Sequence, residues 1–307
     1  MSGAPRAPTF TVIVPTFRRP TALARCLEAL AHQTVAHERF EVIVADDGSD
    51  APPREVVTRF TDRLDITLVE AAHGGPGAAR NAAAARARGR FLALTDDDCA
   101  PEPTWLATLE RTLARHPDAL VGGRVENALV ENVVASASQL LISYLYEYFA
   151  RARSPYRFFT TNNVACSARA FEEVGGFDVQ SLADTAEDRD LCDRWSRSGR
   201  ALVYDPDALV RHYNPFTLGS FVRCHFNYGL GAVHFHRARA GRGGSPVQIE
   251  PFAFYAGMLA YPLRRERPSR APICSALIAL SQVSYATGYA LERVATLPIL
   301  SHRARRL

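Results

Sequence analysis

Three consecutive aspartates, Asp96, Asp97 and Asp98, end the apolar run FLALT with no basic residue between them. Adjacent carboxylates repel one another, so either solvent in a loop or a divalent cation has to stabilise them. The spacing excludes a calcium loop of the EF-hand type, because Pro101 and Ala107 stand where glycine and glutamate are required. At a strand end Asp96 and Asp98 point the same way, and Asp98 can hold Mg²⁺ or Mn²⁺ against a diphosphate.

The stretch GGPGAAR follows a predicted strand and opens a predicted helix. It partly matches the dinucleotide fingerprint GxGxxG, but Arg80 stands at the sixth position, where close helix packing needs glycine or alanine. It also follows the third strand rather than the first, which disfavours a NAD or FAD site. The favoured interpretation is that Arg80 and the helix N-terminus face an anionic ligand.

The segment AEDRD places Glu187 and Asp188 in the first turn of a predicted helix. Acidic residues favour that location for structural reasons alone. An ionised carboxylate there also suits a general base for a hydroxyl nucleophile. His212, in VRHYNP, stands alone and is equally compatible with a structural histidine.

Strand and helix patterns alternate through the first 117 residues. TFTVIVP, FEVIVAD, LDITLVE and RFLALTD predict strands, separated by helical patterns such as TALARCLEALAHQ and GAARNAAAARARG. This alternation predicts a parallel sheet with helices on both faces, in which ligands bind at the carboxyl ends of the strands. Polar clusters fall at three of these ends, at residues 16–19, 46–50 and 96–98, which favours one shared site.

The pattern is looser beyond residue 117. SASQLLISYLYEYFARAR and AEDRDLCDRWSRSG predict helices, and ALVYDPDALVRHY predicts an extended segment. TNNVACSARAFEEVGGFD predicts a short strand, a turn and a helix. The glycine-rich basic stretch RARAGRGGSP, residues 237–246, predicts a flexible loop.

Composition narrows the class of protein. The 307 residues are 47% hydrophobic and 22% charged, which is typical of a globular chain, and a net charge of +4 is too weak to favour nucleic acid as a partner. The six cysteines form no CxxC pair, so reduced thiols in a cytoplasmic protein are expected. The first apolar run is too short for the h-region of a signal peptide, so we do not expect secretion.

Residues 271–291 carry no charge, and arginines flank them on both sides. Serines, Gln282, Thr287 and Gly288 weaken the hydrophobicity, which favours a helix lying in the membrane interface over one that spans it. We therefore expect contact with a membrane surface through residues 264–307, at the inner face of the membrane. Packing of this helix on protein is the alternative.

Taken in chain order, TVIVPTFRR, VIVADDGSD, HGGPGAARNAA, FLALTDDDCAPEPTWL, NVACSARAFEEVGGFD, AEDRDLCDRW and His212 resemble the inverting glycosyltransferases of family 2. The resemblance covers roughly residues 9–215. It implies an α/β fold of the GT-A type, Rossmann-like with a mostly parallel sheet flanked by helices, over residues 1–220. The nucleotide-sugar half would be about 1–117 and the acceptor half about 118–220, followed by a helical C-terminal region at 221–307.

The same resemblance implies a metal-dependent, inverting transfer of a hexosyl type from a nucleotide-diphosphate sugar to an acceptor hydroxyl. The membrane-facing C-terminus favours a lipid-linked or envelope-glycan acceptor, and a soluble small molecule is the alternative. Asp188 would be the general base. Asp98 would bind Mg²⁺ or Mn²⁺, with Asp96 near the ribose or metal and His212 closing the site. The implied nucleotide contacts are Pro15, Thr16, Arg18, Asp47, Gly75, Arg80, Asp96 and Asp97, and the implied acceptor-side residues are Asn163, Asp178 and Glu187. Arg18 and His73 depart from the family, which often has asparagine at both positions.

Two other functions stay open from the sequence. A nucleotidyltransferase also uses an α/β sheet, a metal and aspartates, but it usually has a glycine-rich basic loop after the first strand, where this chain has PTFRRP. A non-catalytic binding or membrane-scaffold module is disfavoured by the intact acidic triplet together with Asp188. The sugar, the nucleotide and the acceptor are not readable from the residues.

Overall fold

A computed structural model of the chain describes residues 7–151, 157–180, 185–244 and 249–296. The strands are β1 (Phe10–Thr16), β2 (Phe40–Asp46), β3 (Ile66–Glu70), β4 (Phe91–Thr95), β5 (Cys99–Pro101), β6 (Leu120–Asn127), β7 (Asn163–Ser167) and β8 (Leu202–His212). The helices are α1 (Pro20–Ala31), α2 (Arg54–Thr58), α3 (Gly75–Ala84), α4 (Trp105–Arg115), α5 (Val133–Arg151), α6 (Ala168–Val174), α7 (Glu187–Arg197), α8 (Leu218–Gly241), α9 (Phe252–Ala260), α10 (Pro262–Arg265) and α11 (Ala271–Ala295).

The strands form one sheet in the order β3-β2-β1-β4-β7-β6-β8-β5. The first four strands of this order run parallel, whereas β7 is antiparallel to both β4 and β6, and β5 is antiparallel to β8. Every residue of β1 and β2 is buried, as expected for central strands covered on both faces. The predicted α/β fold with a mostly parallel sheet is therefore confirmed.

Contacts divide the chain into two units. Unit 1 comprises residues 1–128, 155–179 and 188–213, and unit 2 comprises residues 129–154, 180–187 and 214–307. The predicted division at residue 220 places the segment at 129–154 with the catalytic part, whereas here that segment groups with the C-terminal helices. The predicted domain boundary itself stays a prediction.

The core of unit 1 forms where the sequence has apolar residues at helical spacing. Leu23, Leu27 and Leu30 lie on one face of α1 and are fully buried, as their spacing predicts. They pack in one cluster with the strands and with α4, whose Trp105 and Leu109 are also fully buried. Complete burial of a leucine contributes about 1.5–3 kcal/mol to stability. Because the cluster includes the strands, it stabilises the sheet whose strand ends carry the polar residues.

Unit 2 contains the helices α5, α8, α9, α10 and α11, and α8 corrects one expectation. The sequence predicts a loop at 237–246, but α8 continues to Gly241. Alanine and arginine are strong helix formers, and Arg239 is buried, so packing and propensity extend the helix until its glycines begin. Residues 245–246 lie outside the described residues. Among the described helices, none combines the length and the apolar composition needed to cross a bilayer.

Candidate active site

The polar clusters at the ends of β1, β2 and β4 meet at one edge of the sheet. Thr16 Oγ1 donates to Asp97 Oδ2 at 2.7 Å, which joins the end of β1 to the acidic triplet. The Asp47 backbone N–H donates to the Thr16 carbonyl at 2.9 Å, which joins the ends of β1 and β2. The clusters therefore lie together as predicted, because these parallel strands end at the same edge of the sheet.

The three adjacent aspartates have three different sets of partners. Asp96 Oδ1 accepts from Arg80 Nη2 at 2.5 Å, and Arg80 is itself 2% exposed. Asp98 lies between Arg19, at 3.0 Å, and His212, at 3.2 Å. Because each carboxylate has a cationic or polar neighbour, these neighbours partly offset the mutual repulsion of the triplet.

The sequence analysis included Arg19 in the polar cluster at residues 16–19 but assigned it no role. Its Nη1 lies 3.1 Å from Asp97 Oδ1 and 3.0 Å from Asp98 Oδ2. Burial opposes the charge of Arg19, but Asp97, Asp98 and Asp96 together raise its pKa above the ordinary value. Its neighbour Arg18 pairs with the exposed Asp50 and has a positive φ of 56°, and its predicted nucleotide contact stays a prediction. The sequence RR does not show which of the two arginines contacts the aspartates.

Burial dominates the titration of Asp97. Desolvation raises the pKa of its carboxyl to about 6, opposed by Arg19 and by the hydrogen bond from Thr16, while Asp98 and Asp96 add to the rise. Asp97 is therefore a buried group between two charged neighbours, and its predicted nucleotide contact stays a prediction.

Asp98, Cys99 and His212 bring their ligand atoms within 4.8 Å of one another. The antiparallel pairing of β5 with β8 sets Cys99 directly opposite His212, which explains why residues far apart in sequence meet here. Burial raises the pKa of the Cys99 thiol well above its ordinary value. The carboxylate and the imidazole form a donor pair that suits Mn²⁺ and accepts Mg²⁺ through the oxygen. Asp96, also predicted as a ligand, is outside this group.

Asp98 and His212 stabilise each other's charged forms. Burial opposes ionisation of Asp98, but the His212 hydrogen bond and charge, with Arg19, lower its pKa. Burial likewise opposes the charge of His212, but Asp98 raises its pKa above 6.5. Each group therefore favours the charged form of the other, and a bound cation would compete with the proton on the imidazole.

The carboxylate of Asp47 holds the turn that opens α3. Its Oδ1 accepts from the Gly74 N–H at 2.9 Å and its Oδ2 from the Gly75 N–H at 3.1 Å. Gly75 has a φ of 83°, which favours glycine at this position. His73 Nδ1 lies 2.8 Å from Asp47 Oδ2, and its ring stacks on Phe17 at 4.7 Å between centroids. The predicted nucleotide residues at positions 15, 16, 47 and 75 therefore cluster around adjacent strand ends.

Asp188 lies in the first turn of α7, as the sequence predicts. Burial raises the pKa of its carboxyl above 3.8, opposed by the charge of Arg189, by the Arg189 N–H that it accepts at 2.7 Å and by the charge of Arg80. Arg80 therefore interacts with both Asp96 and Asp188, which connects the acidic triplet to the predicted base.

The acceptor-side predictions fare differently. Asn163 is buried, its Oδ1 accepts from Trp105 Nε1, and its Nδ2 donates to the carbonyls of Arg124 and Ala208, all at 2.8 Å. Its amide is fully engaged in holding unit 1 together, which the motif did not reveal. Asp178 and Glu187 are half-buried. The predicted place of all three near an acceptor stays a prediction.

Comparisons with known proteins agree with this geometry. The sequence profile described as "Glycosyl transferase family 2" matches residues 11–175. Glycosyltransferase AglE of Haloferax volcanii is 28% identical over 230 residues, covering 74% of this chain and 73% of that protein. The pre-mycofactocin glycosyltransferase of Mycobacterium tuberculosis is 31% identical over 228 residues, but the match spans 46% of its length.

Two solved structures share the fold. The mannosyltransferase PcManGT from Pyrobaculum calidifontis, in complex with GDP-Man and Mn²⁺, has a TM-score of 0.61 at 20% identity and covers 98% of this chain and 84% of its own. S. aureus TarS 1–349, in complex with UDP-GlcNAc, has a TM-score of 0.56 at 14% identity and covers 94% and 91%. At these identities the likeness shows the GT-A fold alone.

Proposed function

This chain belongs to glycosyl transferase family 2, and we propose that it moves a sugar from a nucleotide-diphosphate sugar to an acceptor hydroxyl with inversion at the anomeric carbon. The observation that carries the proposal is the continuity of the site within unit 1. Hydrogen bonds lead from Asp47 through Thr16 to Asp97, and Arg19 joins Asp97 to Asp98. A donor lying along the strand ends would meet these groups in order.

The predicted cation would be held by Asp98 and His212, whose donor atoms fit Mg²⁺ or Mn²⁺. When bound, the cation supplies Lewis-acid stabilisation of the negative charge on the departing diphosphate. Arg19 adds a fixed positive charge beside the same carboxylates. The mannosyltransferase from Pyrobaculum calidifontis, which shares the fold, is in complex with Mn²⁺ and GDP-Man, and this supports the assignment.

Asp188 would act as the general base. Its carboxylate takes the proton of the acceptor hydroxyl, and the oxygen attacks the anomeric carbon from the face opposite the diphosphate. The bond from the anomeric carbon to the diphosphate oxygen breaks, and its electron pair leaves with the nucleotide diphosphate. A pKa raised by burial makes Asp188 a stronger base than a solvated aspartate.

We further propose that transfer takes place at the inner face of a membrane, on a lipid-linked or envelope-glycan acceptor. The charge distribution supports this location. Residues 214–307 contain twelve arginines and three glutamates, whereas residues 1–213 contain 24 arginines and 29 acidic residues. A basic segment of this kind is attracted to anionic lipid.

The test is a panel of nucleotide sugars with Mn²⁺, read as slow release of nucleotide diphosphate by hydrolysis and as glycosylated product by mass spectrometry. Asp188→Asn is expected to lower transfer by about 10²–10⁴-fold and to leave nucleotide binding nearly intact, because only proton removal is lost. Asp98→Ala is expected to lose Mn²⁺-dependent donor binding, measured by calorimetry.

The exposed Asp62→Asn is the matched control and should behave as the wild type. Retained turnover in Asp188→Asn would remove that residue from the role of base. Pyrophosphate release from a nucleoside triphosphate would identify a nucleotidyltransferase instead, and a scaffold would release neither product.

A further inference from the structure

The last helix of unit 2, α11, exposes several large apolar side chains and buries two serines. Its buried positions are Ala271, Cys274, Ile278, Ser281, Ser284 and Gly288. Its large exposed side chains are Ile273, Leu280, Val283, Leu291 and Val294, and Val283 is 64% exposed. A surface helix in water normally buries its large apolar residues and exposes its polar ones.

Small residues allow α11 to contact α8 at backbone distance. A Cβ atom at Gly288 would lie 2.2 Å from the Phe226 carbonyl oxygen, and one at Gly229 would lie 2.1 Å from the Tyr285 carbonyl oxygen. Ser284 Oγ also donates across to the Val222 carbonyl at 2.7 Å. Close small-residue contacts and interhelical hydrogen bonds are how helices associate where apolar side chains face lipid.

The two short helices that contact α11 also expose large apolar side chains. On α9, Phe252 is 84% exposed and Leu259 is also exposed, and on α10 Leu263 is 62% exposed. We define the C-terminal apolar surface as Phe252, Leu259, Leu263, Ile273, Leu280, Val283, Leu291 and Val294. Isolated exposed hydrophobic residues are normal, but this number on three contacting helices indicates an interaction surface.

Arginines lie beside this surface, and their charge favours an anionic partner. Arg264 and Arg267 are exposed beside Leu263, and neither side chain forms an ion pair within the described part of the chain. A second copy would bring one arginine-rich segment against another, and the two would repel. Anionic lipid headgroups instead attract the arginines while the acyl chains accept the apolar side chains.

We propose that the C-terminal apolar surface inserts into the interfacial region of an anionic lipid bilayer, with α11 lying in the membrane plane. This surface would hold the chain at the membrane, so the proposal rests only on the membrane location given under the proposed function. It does not depend on the transfer chemistry, because neither Asp188 nor the donor takes part.

The experiment is flotation of the full chain with vesicles of phosphatidylcholine alone or of phosphatidylcholine mixed with the anionic lipid phosphatidylglycerol. The wild type is expected to float with the anionic vesicles, less so at high salt. Val283→Glu should bind at least about tenfold more weakly, because it adds a negative charge at the insertion site. Arg264→Gln and Arg267→Gln should each weaken binding about fivefold.

Leu218→Glu is the matched control, because Leu218 is 53% exposed but lies at the start of α8, outside the surface. It should float as the wild type does, and thermal unfolding should show that both variants are folded. Asp188→Asn should also float, so loss of transfer and loss of docking are separable. Wild-type protein that stays unbound, or Val283→Glu that floats normally, overturns the proposal. A dimer that Val283→Glu dissociates, without vesicle binding, overturns it in favour of a second copy.

Discussion

At the scale of single residues, the acidic triplet shows how neighbours give identical side chains different properties. Asp96 is bound by Arg80, Asp97 is buried between Thr16 and Arg19, and Asp98 is paired with His212. The pKa of Asp97 rises whereas that of Asp98 falls. The difference follows from how much charge compensates each buried carboxylate.

The first residue-scale prediction concerns stability against pH. The folded pKa of Asp97, about 6, lies above its ordinary value of 3.8, so the folded state binds more protons between these values. The contribution of Asp97 to stability therefore declines as the pH rises from about 4 to about 6. The free energy of unfolding of the wild type minus that of Asp97→Asn should fall by up to about 3 kcal/mol across this window. Denaturant titrations at several pH values measure it, and a difference that rises instead would contradict it.

A second prediction concerns the pH profile of transfer. The charge of Arg189 lowers the pKa of Asp188, so its removal should raise that pKa further. In Arg189→Gln, the acid limb of kcat/KM should move to higher pH, because Asp188 must be deprotonated to act as base. The exposed Arg59→Gln serves as control. An unchanged acid limb in Arg189→Gln would show that another group titrates there.

The sequence indicated the triplet and Asp188 because they lie at a strand end and at a helix start, whereas His212 was indicated only by the family resemblance. The sequence could not show which of Arg18 and Arg19 contacts the aspartates, because this depends on the direction of each side chain in the folded turn. The left-handed backbone of Arg18 is a property of the folded turn. The role of Asn163 was also not predictable, because the sequence does not show whether the amide of an asparagine at a strand start faces substrate or backbone carbonyl groups.

At the scale of elements, the sheet was predictable where strands were apolar and continuous, as in β1, β2 and β4. The leucines of α1 were equally clear, because one helical face collects them. The antiparallel β7 and the β5–β8 pair were not, because their partners are far away in sequence. Strand order depends on contacts that no local pattern records. The sequence analysis predicted a loop from residue 237 because of the glycines in this stretch, although the alanines and arginines before them favour a helix.

Asn163 gives an element-scale prediction. It joins the start of β7 to Trp105 of α4 and to carbonyls on β6 and β8. Asn163→Ala leaves those buried groups without partners, so unfolding should become easier by about 2–4 kcal/mol. Chemical denaturation measures the loss, with the exposed Asn227→Ala as control. If Asn163→Ala kept full stability but raised the KM for acceptor, the acceptor-side role would be favoured instead.

At the scale of the whole molecule, charge and chemistry are distributed unequally along the chain. The groups assigned to the reaction lie in unit 1, within a segment where acidic residues outnumber arginines. Unit 2 contributes the basic, outwardly apolar helices. The family profile ends at residue 175, so the family match does not extend to the segment for which membrane docking is proposed. Docking and transfer can therefore be tested one at a time.

The register that sets Cys99 opposite His212 also has a consequence for biosynthesis. In the proposed cation site Asp98 and His212 would both be ligands, and they stand at opposite ends of a long stretch of the sequence. A nascent chain that has formed its first four strands still lacks the histidine. It gains a complete ligand pair only after β8 has left the ribosome and taken its place beside β5. Cation capture would thus mark the completion of the sheet, not its beginning.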